Sequence, residues 1–125
     1  MEIIISNSSG IPIYEQIKDQ IKAKIITNEL HAGELLPSIR SLAKDLRCSV
    51  ITTKNAYEEL VKEGYVITIP AKGFYVAEIN MEIAHEEQLN KIENLLDTVV
   101  IIAKSNNITR EKINEILDIL YEEEK

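Results

Sequence analysis

Two stretches of this chain concentrate side chains suited to meeting a polyanion. Ser49, Thr52, Lys54 and Asn55 follow one another closely. Short hydroxyl and amide groups can reach the edges of bases, and an ammonium such as that of Lys54 can reach a phosphate. Upstream stand Ser38 and Arg40. A serine at a helix start caps the helix and can also donate to phosphate, and a guanidinium is the preferred bidentate partner of phosphate and guanine. Downstream, Lys72 and Gly73 lie between two apolar runs. Gly73 suits a positive φ in a tight turn, and Lys72 suits a phosphate or minor-groove contact. Each residue also has a plainer reading: a cap, an arginine supporting a neighbouring carboxylate, or polar helix surface. Other chemistries lack their residues. His31 and His85 are isolated, without the spacing of metal ligands. Cys48 is the only cysteine, so no intrachain disulfide can form. No nucleophile–base arrangement, phosphate loop or metal motif occurs, so neither an enzyme nor a bound cofactor or metal is expected.

The surrounding pattern supplies the elements that would position these side chains. A short helix over 38–46 buries Ile39, Leu42, Ala43 and Leu46. A turn at Arg47 and Cys48 leads to a second helix over 50–63, capped by Ser49, burying Val50, Thr53, Ala56, Tyr57, Leu60 and Val61, and stopped by Gly64. Strands at 65–69 and 74–78, carrying Tyr65, Ile67, Ile69, Tyr75 and Val76, flank Pro70-Ala71-Lys72-Gly73. Helix, tight turn, helix and hairpin make a winged helix-turn-helix, which sets one helix end in the DNA major groove and lays the hairpin along the backbone. Ile13, Ile17, Ile21 and Ile25 recur every four residues and predict an amphipathic helix over about 12–28, with Pro12 at its start. Residues 2–5 are a short strand or an apolar arm.

From about Met81 the character changes. Leu89, Ile92, Leu95, Leu96, Val99 and Ile102 form a stripe at steps of three and four, broken at Ser105-Asn106-Asn107. Thr109 caps a final helix with Ile113, Ile116, Leu117 and Leu120 on one side, ending in the acidic run 122–124. The net charge of −7 opposes nucleic-acid binding at first sight. Its distribution along the chain favours such binding: residues 81–125 hold five Lys/Arg against eleven Asp/Glu, whereas residues 38–76 hold six Lys/Arg against four Asp/Glu. At 125 residues the chain is one domain, or one domain with an appendage. No apolar run approaches the roughly 20 residues of a membrane span, and the N-terminus lacks the pattern of a signal peptide. A cytoplasmic protein with no membrane partner is expected.

Several segments resemble the GntR family of bacterial transcription regulators, in particular its short YtrA-type members. IPIYEQIKDQIKAKI resembles the first helix of that family. AGELLPSIRSLAKDL matches its Pro-Ser-x-Arg-x-Leu-Ala signature. CSVITTKNAYEELVKEGYV resembles the recognition helix with its Glu-Gly stop, and KGFYV the end of the wing. The resemblance covers residues 10–78. It implies a DNA contact for Arg40 and a dimeric transcriptional repressor, often encoded beside a transporter it controls. Three positions depart from the family pattern: Val50 where many members carry Arg, Ala71 where a wing glycine is usual, and Cys48 where Val is commoner.

The expected architecture is therefore α+β and mainly helical: a winged helix-turn-helix over 1–78 and a two-helix dimerisation tail over 79–125. Ser38, Arg40, Ser49, Thr52, Lys54, Asn55, Lys72 and Gly73 form the expected DNA face. Leu89, Ile92, Leu96, Val99, Ile113, Ile116, Leu117 and Leu120 form the expected dimer face. The expected partners are an inverted-repeat double-stranded DNA operator and a second copy of the chain. The rival readings are a winged helix that binds protein instead of DNA and an effector-responsive switch with a pocket at the dimer joint, its small molecule unnamed.

Overall fold

Three helices and a two-stranded hairpin build the first of two compact units, Met1–Ala84; the second begins at His85. The computed structural model describes residues 1–123, so Glu124, the last glutamate of the acidic run, lies outside the described residues. In chain order the elements are α1 (Ile13–Ile26), α2 (Ile39–Leu46), α3 (Val50–Lys62), β1 (Val66–Ile69), β2 (Gly73–Val76), α4 (Met81–Ser105) and α5 (Arg110–Glu123). The expected mainly helical winged-helix fold with two C-terminal helices is the one observed.

The isoleucine spacing of α1 does what its period requires. Ile17, Ile21 and Ile25 are fully buried and form the centre of a core with Leu42, Ala56, Tyr57, Leu60, Val66 and Val76. Pro12 stands at the N-cap, and the helix ends at Ile26, two residues before the expected boundary. There Asn28 turns left-handed (φ 63°) and the Thr27 hydroxyl donates to the Ala23 carbonyl.

The segment 2–5 is an extended arm outside any named strand, held by side chains. The Gln20 amide accepts from the Ile4 N–H at 2.9 Å and donates to the Ile4 carbonyl at 2.6 Å. One turn earlier, Gln16 makes the same pair of bonds to Ser6, both at 2.8 Å. Ile3 is buried in the core and Ile5 packs against it.

The C-terminal end of α3 is tied to α1 by charge. Glu63 lies between Lys22, which donates a hydrogen bond to it, and Lys18 at 3.3 Å; the Lys22 ammonium also stands 5.0 Å from the centre of the Tyr65 ring. Burial pushes the Glu63 carboxyl up, but the hydrogen bonds and charges of Lys22 and Lys18 outweigh it and hold it below the ordinary carboxylate value. Burial likewise pushes Lys18 down, and Glu63 more than reverses this, leaving it raised. A lowered carboxyl stabilises the fold fully above its unfolded pKa, and that stability is lost as pH falls through the folded value. A raised lysine stabilises fully below its unfolded pKa and loses its contribution as pH rises through the folded value. Glu63→Gln should therefore lose stability most at neutral pH and flatten the acid limb of a melting-temperature profile below the ordinary carboxyl value of 4.5. An unchanged acid limb would show that the triad contributes nothing to acid unfolding.

Two apolar side chains sit differently from their sequence expectation. Val50 and Val61 of α3 are exposed, because its buried face is narrower and centres on Thr53, Ala56, Tyr57 and Leu60. Ile67 and Ile69 are exposed because only the other face of the hairpin meets the core, through Val66 and Val76. The strands are also shorter and slightly shifted, pairing antiparallel from Val66↔Val76 to Ile69↔Gly73.

In the second unit, Asn106 and Asn107 break the helical run, with Asn107 left-handed (φ 55°), and Thr109 caps α5 through the Lys112 N–H at 3.2 Å. Val99 and Ile113 are half-buried and Ala103 is buried. Leu89, Ile92, Leu96, Ile116, Leu117 and Leu120 are exposed, and so are Leu95, Val100, Ile101 and Ile102. Apolar residues thus cover much more of α4 than the single seam an antiparallel partner can bury. Among the described residues no helix is long and apolar enough to cross a membrane.

Candidate nucleic-acid interface

Serine caps set both helices of the turn motif. Ser38 Oγ accepts from the Ser41 N–H at 3.1 Å, and Ser49 Oγ accepts from the Thr52 N–H at 3.0 Å. Between them the chain reverses at Arg47, which takes the left-handed conformation (φ 55°) while the Cys48 N–H bonds back to the Ala43 carbonyl. At the far end of α3, Gly64 (φ 87°) and the bond from the Tyr65 N–H to the Leu60 carbonyl close the helix and start the hairpin. Thr53 is fully buried, and its hydroxyl meets the Cys48 thiol at 3.3 Å and donates to the Ser49 carbonyl, fixing the turn from inside.

Tyr57 locks the parts of the motif together. Its hydroxyl donates to the Pro37 carbonyl at 2.7 Å, just before the α2 cap. Its ring meets the Phe74 ring of the hairpin edge to face, with centroids 5.0 Å apart. Burial pushes the phenol far above its ordinary pKa, so it remains a donor. Tyr65 is buried as well, while Tyr14 and Tyr75 are half-buried, so these aromatics serve packing.

The hairpin gains a third chain. Residues 33–36 run beside β2 through Leu36 N–H to the Phe74 carbonyl and Val76 N–H to the Glu34 carbonyl, both 2.8 Å, with an isolated bridge Leu35↔Tyr75. At the tip, Lys72 N–H bonds to the Ile69 carbonyl, with Pro70 and Ala71 between them and Ala71 left-handed (φ 67°). Proline followed by a positive-φ residue is the type II turn, where glycine is preferred. Gly73 also has positive φ (123°), and a Cβ there would stand 3.3 Å from the Leu35 side chain. The alanine in the turn carries strain that glycine would relieve, partly offset by the greater chain entropy of glycine when unfolded. Ala71→Gly should accordingly stabilise the domain by roughly 0.5–1 kcal/mol in urea unfolding; destabilisation would refute the strained turn.

The sequence-selected DNA residues all lie on elements of the first unit. Ser38 and Arg40 begin α2; Ser49, Thr52, Lys54 and Asn55 begin α3; Lys72 and Gly73 lie at the hairpin tip. Ser49 donates to the Thr52 hydroxyl at 2.7 Å, joining those two directly. Arg40 is exposed and makes no ion pair among the described residues, so the supporting role for a carboxylate is not observed. Lys44, Arg47 and Lys72 are likewise exposed and without an ion pair among the described residues. Lys54 approaches Glu58 at 3.7 Å, with both side chains mostly in water, and such a pair contributes little. The acids of α3 gather at one end: Glu58, Glu59 and the capping Glu63 sit towards the C-terminal end together with Lys62, and Glu63 is neutralised by α1. Its N-terminal end carries Lys54 and the positive end of the helix dipole.

Sequence reasoning missed Ile51. It is 71% exposed at the start of α3, the outermost large apolar side chain of the turn motif. Its neighbour Val50, where the family pattern favours Arg, is 41% exposed. An apolar residue inside a helical period reads as core, and only the placement of α3 reveals that Ile51 points away from Thr53 and Tyr57. Both histidines are exposed, and among the described residues no group of three or more His, Cys, Asp or Glu could hold a metal ion.

Known proteins share both the pattern and the geometry. A Bacillus subtilis protein, the HTH-type transcriptional repressor YtrA, is 33% identical over 113 residues, which span 90% of this chain and 87% of that protein. Among solved structures, YtrA from Sulfolobus acidocaldarius, a GntR-family transcription factor, superposes with a TM-score of 0.61 at 33% identity, covering 82% of this chain and 97% of that one. A transcriptional antiterminator from Listeria monocytogenes gives a TM-score of 0.74 at 26% identity over 97% of this chain and 90% of its own. The family described as bacterial regulatory proteins, gntR family, matches residues 13–76, which run from the first turn of α1 to the last residue of the hairpin. The match spans the capped turn motif, the glycine-stopped α3 and its wing, and the chain belongs to the GntR family of bacterial regulatory proteins.

Proposed function

We propose that this chain is a transcriptional repressor that binds a double-stranded DNA operator as a homodimer. The observation that carries the reading is the start of α3: its capped N-terminal turn presents Ser49, Thr52, Lys54 and Asn55 and no acid, α2 and the hairpin tip add the exposed Arg40 and Lys72, and the acids of α3 lie towards its other end. The capped N-terminal end of α3 enters the major groove, and α2 and the hairpin grip the backbone on either side. Repression follows from occupancy of the operator, and the naming of the Bacillus subtilis relative as a transcriptional repressor supports the repressor reading.

The dimer rests on the second unit. The exposed residues Leu89, Ile92, Leu96, Ile116, Leu117 and Leu120, with half-buried Val99 and Ile113, are the face that a second copy covers. Removing that face from water is worth about 25 cal/mol per Å² of apolar surface. Two linked reading heads then meet two half-sites about one helical turn apart, roughly 34–36 Å, in an inverted repeat.

Arg40→Ala and Lys54→Ala test the DNA face without touching the core. Each should weaken binding to all sequences and lower the slope of log affinity against log salt by about one unit. Arg40 should show the larger loss, since Lys54 already has a carboxylate near it. Affinity and slope unchanged in both variants would remove α2 and α3 from the interface.

A further inference from the structure

Resting on that reading, we propose that Ile51 and Asn55 together read two adjacent A·T pairs, Ile51 by packing on a thymine methyl and Asn55 by pairing with an adenine, so that the centre of each half-site is A·T. The two residues stand four apart on α3, so their side chains lie on one face, one above the other. Both are exposed, and the opposite face holds the buried residues Thr53, Ala56, Tyr57 and Leu60. Nothing in the fold of the first unit uses Ile51, which is 71% exposed.

The chemistry of the groove selects the partner. The thymine C5 methyl is the apolar group on the major-groove edge of the base pairs. An isoleucine pressed against a G·C edge would desolvate the N7 and O6 acceptors or the N4 donor and give them no hydrogen bond. The amide of Asn55 fits the N6/N7 pair of adenine in bidentate fashion. The usual reader of guanine is Arg or Lys. The first two turns of α3 hold no arginine, and their single lysine, Lys54, lies near Glu58. The serine and threonine hydroxyls of that turn are bonded to each other and suit phosphate or either base. At Val50, where an arginine is common in the family, this chain adds a second exposed apolar side chain beside Ile51.

The test begins with a pool of random duplex DNA selected on the full-length chain, followed by binding to the recovered site. The expected consensus has two adjacent A·T pairs in each half-site. Replacing the critical thymine with deoxyuridine removes only the methyl and should weaken wild-type binding about four- to tenfold. Ile51→Ala should bind the thymine and deoxyuridine sites equally, and Asn55→Ala should lose its preference at the neighbouring adenine while keeping the methyl effect. The fold of both variants is checked by thermal melting. A consensus of G·C pairs, or a deoxyuridine penalty that persists in Ile51→Ala, overturns the inference and leaves the repressor reading in place. A pool that shows no enrichment overturns both.

Discussion

Ending the chain after His85 is expected to leave a folded monomer that binds operator DNA about 10²- to 10⁴-fold more weakly than the full chain, because two linked heads become two independent ones. The cut has to fall beyond the first turn of α4. Asn80 caps that turn through the Glu82 and Ile83 N–H groups, and Ala84 is buried in the winged-helix core. A shorter chain would lose core contacts together with the dimer face and confuse the two effects. Removing Leu89 to Leu120 takes away the exposed apolar residues of α4 and α5 while sparing Arg40, Lys54 and Lys72. Sedimentation velocity reports the oligomeric state and gel mobility the affinity. A full chain that sediments as a monomer at micromolar concentration, or a shortened chain that stays dimeric, contradicts the assignment of the second unit to pairing.

Tyr57→Ala should destabilise the first unit by about 3–5 kcal/mol, the range for emptying a buried aromatic site. A domain of this kind has roughly 5–15 kcal/mol in all, so much of its margin would go and specific DNA binding would fall with the folded fraction. Tyr57→Phe separates the ring from its hydroxyl. The ring contact with Phe74 remains, but the Pro37 carbonyl loses its donor, an expected cost of about 1–3 kcal/mol. Urea unfolding at fixed pH measures both. Equal midpoints for Tyr57→Phe and wild type would mean that water replaces the phenol at Pro37, and the tyrosine would then join the motif through its ring alone.

The parts of this fold that were legible in the sequence are those fixed by local rules. Ser38, Ser49, Gly64 and Thr109 mark helix ends because capping needs a particular group within three residues of the boundary, and each stands where expected. Ile17, Ile21 and Ile25 were legible because burial repeats with the helix. What stayed hidden depends on chain segments meeting at a distance. The Lys18–Glu63–Lys22 triad joins residues about 40 apart, and the Leu35↔Tyr75 bridge joins a loop to a strand. Hydropathy alone treats Val50 and Val61 as core, since a one-dimensional pattern does not say how wide a buried face is. The candidate DNA residues were chosen by type, and only the fold shows that α1 neutralises Glu63 at the far end of α3.

Gln16 and Gln20 have a consequence for the register of the N-terminus. Each primary amide offers one donor and one acceptor side by side, as a backbone peptide does, and each grips both main-chain groups of one arm residue. Four residues of helix advance about 6 Å and two extended residues about 6.6 Å, so glutamines four apart imitate the edge of an antiparallel strand. The imitation holds alternate residues, Ile4 and Ser6, and sends Ile3 and Ile5 inward. A single residue inserted between Ser6 and Pro12 would leave this ruler intact, whereas one inserted between Ile4 and Ser6 would break its count. Glutamate at either position would keep the acceptor but repel the arm carbonyl, and asparagine would fall one methylene short. The helix face thereby selects a reading frame for a segment whose own sequence, three isoleucines in a row, does not distinguish one register from the next.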